Sequence, residues 1–78
     1  MSDRVYILIV THKHGSDATA FRTEESARES LADWCREWWD KEVGDVPIPA
    51  DEDEIIAVYF AAVEGREDYE IRASALRD

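Results

Sequence analysis

The sequence is poor in cysteine, and Cys35 is the only one in 78 residues. A single thiol cannot form a disulfide within the chain, so noncovalent contacts alone must hold the fold together. No apolar run is long enough for a membrane span or for the centre of a signal peptide, since the longest early run covers only Val5–Val10. We therefore expect a cytoplasmic protein without a targeting segment.

Basic residues are also scarce. The chain has 9 lysines and arginines against 19 aspartates and glutamates, which gives a net charge of −10. Binding to a bare phosphate backbone requires Lys and Arg, so this balance argues against direct contact with nucleic acid. A basic protein partner fits the charge better. Two other interpretations stay open, namely that the acidity serves solubility or reflects adaptation to a saline cytoplasm.

The familiar catalytic motifs are absent, including G-x-S-x-G, the P-loop, the dinucleotide fingerprint and H-E-x-x-H. His12 and His14 are spaced to share one face of a strand, with Asp17 nearby. A structural zinc site needs four ligands, however, and Cys35 lies far along the chain. Cys35 itself lies among apolar residues of an acidic chain, which favours packing over catalysis. We therefore expect a protein that is not an enzyme and that binds no metal or cofactor.

The N-terminal third predicts a β-hairpin. Arg4–Thr11 is rich in β-branched and aromatic residues and is apolar at nearly every position, which is typical of a central strand covered on at least one face. Residues 12–17 contain turn-forming side chains, and Gly15 permits a positive φ. Ala18–Thr23 is then a shorter return strand, so the predicted hairpin has a fairly long loop.

A helix is predicted from the N-cap Thr23 to about Val43, before a natural stop at Gly44. Trp39 lies on the flank of the apolar stripe, where part of its ring can reach the surface and contact a partner. We therefore expect Trp38 to be buried in the core and treat Trp39 as a candidate partner-binding residue, with packing as its alternative role. The apolar stripe itself consists of Ala27, Leu31, Trp34, Cys35 and Trp38.

The second half of the chain predicts another helix and a last strand. Two prolines make residues 45–50 a stiff, extended connection, and the acids of residues 51–54 form a capping box. Ile55–Val63 then forms a short apolar helix, although residues 55–60 are also compatible with a buried strand. Alternation of apolar and polar side chains over residues 69–74 predicts a half-exposed strand.

The predicted order of elements is β-β-α-α-β. This order defines an α+β fold, in which a three-stranded antiparallel sheet is covered by two helices in a small two-layer arrangement. We expect residues 1–78 to form a single acidic domain of this kind, with a monomer favoured.

The outer face of the first helix carries a column of acids at spacings of four, four and three residues. Successive carboxylates in such a column lie about 6 Å apart along the helix axis. A solvated helix face is one interpretation, and a row of charges that imitates the phosphates of a nucleic-acid strand is the other. The column consists of Glu29, Asp33, Glu37 and Asp40. Further acids that can extend it are Asp51, Glu52, Asp53, Glu54, Glu64, Glu67, Asp68 and Glu70.

Small size, strong acidity, the lack of a catalytic motif and an aromatic-rich mixed fold together resemble the anti-CRISPR proteins of phages. Residues 11–17 are also similar to the hairpin turn of small uncharacterised phage and actinobacterial proteins. The first resemblance implies an inhibitor that imitates DNA and occupies the basic groove of a nucleic-acid-binding partner such as a CRISPR effector, in the host cytoplasm. It assigns no role to any individual residue.

Two further interpretations compete with the inhibitor. One is a protein–protein interaction module, such as an antitoxin-type regulator from a phage or a salt-adapted bacterium, which would use Trp39 and an apolar patch. The other is a small metal-dependent enzyme or metal carrier built on His12 and His14. Salt dependence of binding separates the inhibitor from the interaction module, because exposed charge pairs are screened by salt.

Overall fold

A computed structural model describes residues 4–75, and the first and last three residues of the predicted 1–78 domain lie outside this range. The elements follow the order β-β-α-α-β, so the predicted α+β arrangement is confirmed. The elements are β1 (Arg4–His12), β2 (Gly15–Phe21), α1 (Glu24–Glu42), α2 (Glu52–Ala62) and β3 (Asp68–Ala75).

The sheet has three antiparallel strands in the order β2-β1-β3, which makes β1 the central strand. The pairing of β1 with β3 brings Arg4 opposite Ala75. Leu8 and Val10 are buried beneath the helices. Because side chains alternate along a strand, the opposite face of β1 carries residues that are only half-buried. These are Val5, Ile7 and Ile9.

The hairpin loop is shorter than the sequence predicts. β1 continues to His12, which pairs with Gly15, so only Lys13 and His14 form the turn. Gly15 has a φ of +129°, a backbone conformation that glycine adopts without steric cost. The prediction of a long loop was wrong because β2 is an exposed edge strand. Its first residues are small and polar, and they carry no apolar signal of a strand.

The first helix has the predicted ends. The Thr23 hydroxyl accepts a hydrogen bond from the backbone N–H of Ser26 at 3.0 Å, which caps the start of α1. At the other end, the carbonyl of Trp39 accepts from the amides of Val43 and Gly44. Gly44 has a φ of +95°, so the chain turns away from the helix axis at this point.

The prediction of which tryptophan is buried was wrong. Trp39 is 1% exposed, whereas Trp38 is 37% exposed. The indole N–H of Trp39 donates to the carbonyl of Val46 at 2.6 Å, in the segment that leads to α2. A row at spacings of four turns by about 40° per step around a helix. The buried residues Ala27, Leu31, Cys35 and Trp39 form such a row. The core side of α1 therefore winds gradually around the helix and does not run straight along its axis. We call these four residues the turning row.

Residues 52–62 form α2, so the predicted second helix is confirmed and the alternative of a buried strand is wrong. The carboxylate of Asp51 accepts a hydrogen bond from the backbone N–H of Glu54 at 3.1 Å. This bond satisfies one of the amides that the first turn of a helix leaves free.

We expect Asp51→Ala to lower the free energy of unfolding by about 1 kcal/mol, because the amide of Glu54 loses its acceptor. Urea unfolding followed by tryptophan fluorescence measures this change. Asp51→Asn is the control, since it removes the charge but keeps an acceptor oxygen. An equal loss in both variants would show that the charge, and not the hydrogen bond, stabilises the helix.

The two helices run parallel. At their starts, Arg28 Nη2 lies 2.6 Å from Asp53 Oδ1, and near their ends Arg66 Nη1 lies 3.2 Å from Glu42 Oε1. The connection, residues 43–51, must therefore return along α1. Nine fully extended residues span about 30 Å, and the stretch of α1 from Arg28 to Glu42 is about 21 Å long. The two prolines in the connection suit this requirement, because they hold the chain extended.

The core lies between the helices and one face of the sheet. No buried side-chain nitrogen or oxygen among the described residues lacks a hydrogen-bond partner. The buried hydrophobic residues are Leu8, Val10, Ala27, Leu31, Ala32, Cys35, Trp39, Ile55, Ile56, Tyr59 and Val63.

Candidate functional site

The outer side of α1 carries the acidic column that the sequence predicts. All four of its residues are exposed, and they lie opposite the buried row of the same helix. Asp33 forms an ion pair with Arg36, which lies one turn later on the helix. The other three make no ion pair with another described residue. We call Glu29, Asp33, Glu37 and Asp40 the acidic face.

Two of the acids at the start of α2 are engaged in contacts with other groups of the protein. Asp51 caps α2, and Asp53 accepts from the guanidinium of Arg28. This contact raises the pKa of Arg28, so the guanidinium stays charged. Glu52 is half-buried. Asp51 and Asp53 thus take part in contacts of the fold, whereas Glu54 is exposed beside them.

The remaining acids that the sequence grouped with the column lie elsewhere. Glu67 is half-buried and accepts a hydrogen bond from the Tyr59 hydroxyl at 2.8 Å. Glu70 lies on β3 and pairs with Arg72 at 2.9 Å. Glu64 is exposed just beyond the end of α2. Sequence alone could not separate these groups, because their positions depend on how the second half of the chain packs.

Trp39 is not available to a partner, because its ring is buried and its only polar group is bonded to Val46. Trp38 takes the exposed position instead. The ammonium of Lys41 lies 5.6 Å from the centre of its ring, a distance typical of a cation–π contact. The ring of Trp34 lies beside it, with centroids 6.4 Å apart.

A groove of about 220 Å³ opens between the hairpin turn and the C-terminal half of α1. This groove could not be identified from the sequence, because its walls come from three separate parts of the chain, namely the hairpin, α1 and the segment before β3. The residue that could have indicated the groove is Trp38. Helical periodicity assigned it to the core, but it is exposed and lines the groove. The groove is lined by His12, Lys13, His14, Asp17, Trp34, Trp38, Lys41, Glu42 and Glu67.

His12 is the most constrained side chain of the groove. Its Nδ1 accepts a hydrogen bond from the backbone N–H of His14 at 3.2 Å, which assigns the ring proton to Nε2. Nε2 then donates to Asp17 Oδ2 at 3.0 Å. Both nitrogens are therefore engaged in holding the hairpin turn. A metal ligand or a general base needs one of them free.

The described residues contain no group of three or more His, Cys, Asp or Glu side chains placed to hold a metal ion. His12 and His14 do lie together, with ring centroids 6.2 Å apart and an edge-on orientation. Cys35, the only additional soft ligand that the sequence offers besides His12, His14 and Asp17, is buried in the core on α1. The structure does not bring Cys35 together with the two histidines.

Cys35 and Tyr59 are buried near each other in the core between the helices. Burial raises the pKa of the Cys35 thiol to about 12, and the negative charge of Glu67 adds to this effect. Burial, followed by the hydrogen bond to Glu67, also raises the pKa of the Tyr59 hydroxyl. A thiol of this kind is not a nucleophile at neutral pH, because the reactive form is the thiolate.

The comparisons with known proteins return no match. No protein-family model, no curated protein sequence and no solved structure is significantly similar to the chain. Among residues 4–75, no helix has the length and apolar character needed to cross a membrane.

Proposed function

We infer that this protein acts by binding a partner and is not an enzyme, and that the acidic face of α1 occupies the basic groove of a nucleic-acid-binding protein. A CRISPR effector is the partner class that the resemblance of the sequence implies. The observation that carries this proposal is the exposure of Glu29, Asp33, Glu37 and Asp40 in one column on a helix whose other side is buried.

The geometry of α1 supports the proposal that the acidic face imitates the row of phosphates on a nucleic-acid strand. Carboxylates four residues apart on a helix repeat about every 6 Å along its axis. Because α1 is held on its other side by the core, its carboxylates are presented without the ordering cost that a loop would carry. A basic groove that accepts a row of phosphates can therefore accept this helix.

Charge supports the same interpretation. The net charge of −10 on 78 residues creates a long-range negative field around the molecule. Such a field accelerates the encounter with a basic groove and repels nucleic acid. Like charges along one helix face are mildly unfavourable to the helix itself. The column therefore does not serve the stability of α1.

The test is a competition assay, in which a labelled DNA duplex is bound to each of a panel of purified CRISPR effectors before this protein is added. We expect displacement of the duplex from the effector that the protein binds, and a steep loss of binding as salt rises. Glu29→Lys with Glu37→Lys should weaken binding at least tenfold, about 1.4 kcal/mol. Neither carboxylate is ion-paired with a described residue, so the reversal breaks no contact of the fold.

The matched control is Asp45→Lys with Glu64→Lys. It changes the net charge by the same amount at exposed positions outside the acidic face. We expect this control to retain most of the affinity. Binding without displacement of the duplex, or equal weakening by both double variants, would contradict the proposed role of the acidic face.

An interaction module of another kind remains the second candidate, and one observation favours it. Val46 and Ile48 in the connection between the helices are 49% and 45% exposed. Exposed apolar side chains that lie together on a surface can mark a protein contact. Binding through this segment would change little with salt, whereas binding through the acidic face would weaken.

A further inference from the structure

The face of the sheet that points away from both helices is apolar along its centre. Val5, Ile7 and Ile9 of β1 lie on this face, and they are not among the residues of the core cluster. Their neighbours on β2 are small, since Ile7 pairs with Ala20 and Ile9 pairs with Ala18. We call this surface the open sheet face.

The helices cover only the other side of the sheet. Leu8 and Val10 point towards them, and on β3 the partners of these two residues, Ile71 and Tyr69, also pack against the core. An antiparallel strand with one solvated face normally alternates between apolar and polar residues. β1 is apolar on both faces, which is the pattern of a strand that is covered on both sides.

The open sheet face carries little of the negative charge of the molecule. Beside the apolar row, Glu70 and Arg72 of β3 form an ion pair at 2.9 Å, so their charges offset each other. The acidic face lies on α1, in the other layer of the fold. Two molecules that meet through their sheets therefore keep their most acidic surfaces apart.

We propose that the open sheet face binds a second copy of this chain, giving a symmetric dimer in which two sheets pack face to face with the helices outside. Sheets pack in this way at about 10 Å separation. In a two-fold arrangement each copy presents the same surface, so Arg72 of one copy can meet Glu70 of the other. This dimer differs from the monomer that the sequence favoured.

The size of the face sets the expected strength of the dimer. Three strands about 4.8 Å apart and about 30 Å long outline roughly 430 Å². This is about half of the roughly 800 Å² that each partner buries in a standard interface. We therefore expect a weak, reversible dimer whose population depends on the protein concentration.

Sedimentation equilibrium of the full chain over a wide concentration range tests the proposal. We expect the average mass to rise from that of a monomer to that of a dimer. Ile7→Glu should weaken association at least tenfold, because a carboxylate would be buried in the interface. Val58→Glu is the matched control, since it adds the same charge at an exposed apolar position on α2 and should leave association unchanged.

Circular dichroism establishes that each variant is folded, and Ile9→Thr provides a milder second substitution that keeps a β-branched side chain. We expect it to weaken association by less than Ile7→Glu does. A wild-type protein that stays monomeric at all concentrations would overturn the proposal. Equal weakening by Ile7→Glu and Val58→Glu would also overturn it, because the effect would then come from net charge alone.

Dimerisation through the open sheet face is independent of the function inferred for the acidic face. The two interactions are distinguished by how their affinities change with salt concentration. An apolar contact between two negatively charged molecules strengthens as salt screens their repulsion. Binding of the acidic face to a basic groove weakens under the same conditions. Dimerisation that weakens with added salt would contradict the use of the open sheet face, whatever the outcome of the competition assay.

Discussion

Replacing Trp39 by alanine should lower the free energy of unfolding by about 3–5 kcal/mol, a large fraction of the total stability of a domain of this size. Trp39 is among the largest fully buried side chains, and its indole N–H holds the carbonyl of Val46. The substitution would leave a cavity and an unpaired carbonyl where the connection crosses α1. Urea unfolding followed by circular dichroism measures the loss.

Trp38→Ala is the matched control for this experiment, because it removes the same side chain one position away. Trp38 is 37% exposed and contacts chiefly Trp34 and Lys41. We expect it to cost less than half as much as Trp39→Ala. A larger effect from Trp38→Ala would mean that the core of α1 follows the straight stripe predicted from the sequence and not the turning row.

Stability should also fall steeply in alkaline solution. Burial raises the pKa of Cys35 from 9.0 to about 12, and it raises that of Tyr59 above its ordinary value of 10.0. The folded state therefore keeps protons that the unfolded state releases. Their contribution to stability is complete below about pH 9 and is lost as pH rises towards 12. Each such group changes the free energy of unfolding by up to about 1.4 kcal/mol per pH unit.

Urea titrations at neutral pH and at several values above pH 9 measure this dependence. Cys35→Ala is the control, because it removes one of the two titrating groups while keeping a small apolar side chain in the core. We expect a lower stability at neutral pH in this variant but a shallower decline above pH 9. The same slope in both proteins would show that Cys35 titrates alike in the folded and unfolded states.

Most of the fold could be predicted from local patterns in the sequence. The strand Arg4–Thr11, the cap at Thr23 and the stop at Gly44 are each specified by residues next to one another, and all three agree with the structure within a residue. The hairpin turn was misplaced because an exposed edge strand has no apolar pattern to mark it. Local patterns therefore predicted the buried elements better than the exposed one.

The errors at the candidate site have a different cause. A prediction from a helical stripe assumes that the helix packs against a single surface on one side. α1 instead contacts the sheet, α2 and the returning connection, and as a result Trp39 is buried and Trp38 is exposed. Similarly, the groove beside His12 is assembled from segments that are distant in sequence. The acidic face was predictable, because its residues lie on one helix and their exposure follows from the period of that helix.

The pairing of Arg4 with Ala75 joins the two ends of the described chain within one sheet. Among the contacts within the sheet and between the helices, only the β1–β2 pairing joins segments linked by a short turn, because the parallel helices need the whole connection and β3 must return to the first strand. Closing such long loops carries an entropic cost before most of the core contacts exist. Folding should therefore be an all-or-none event, without a stable fragment that lacks either end.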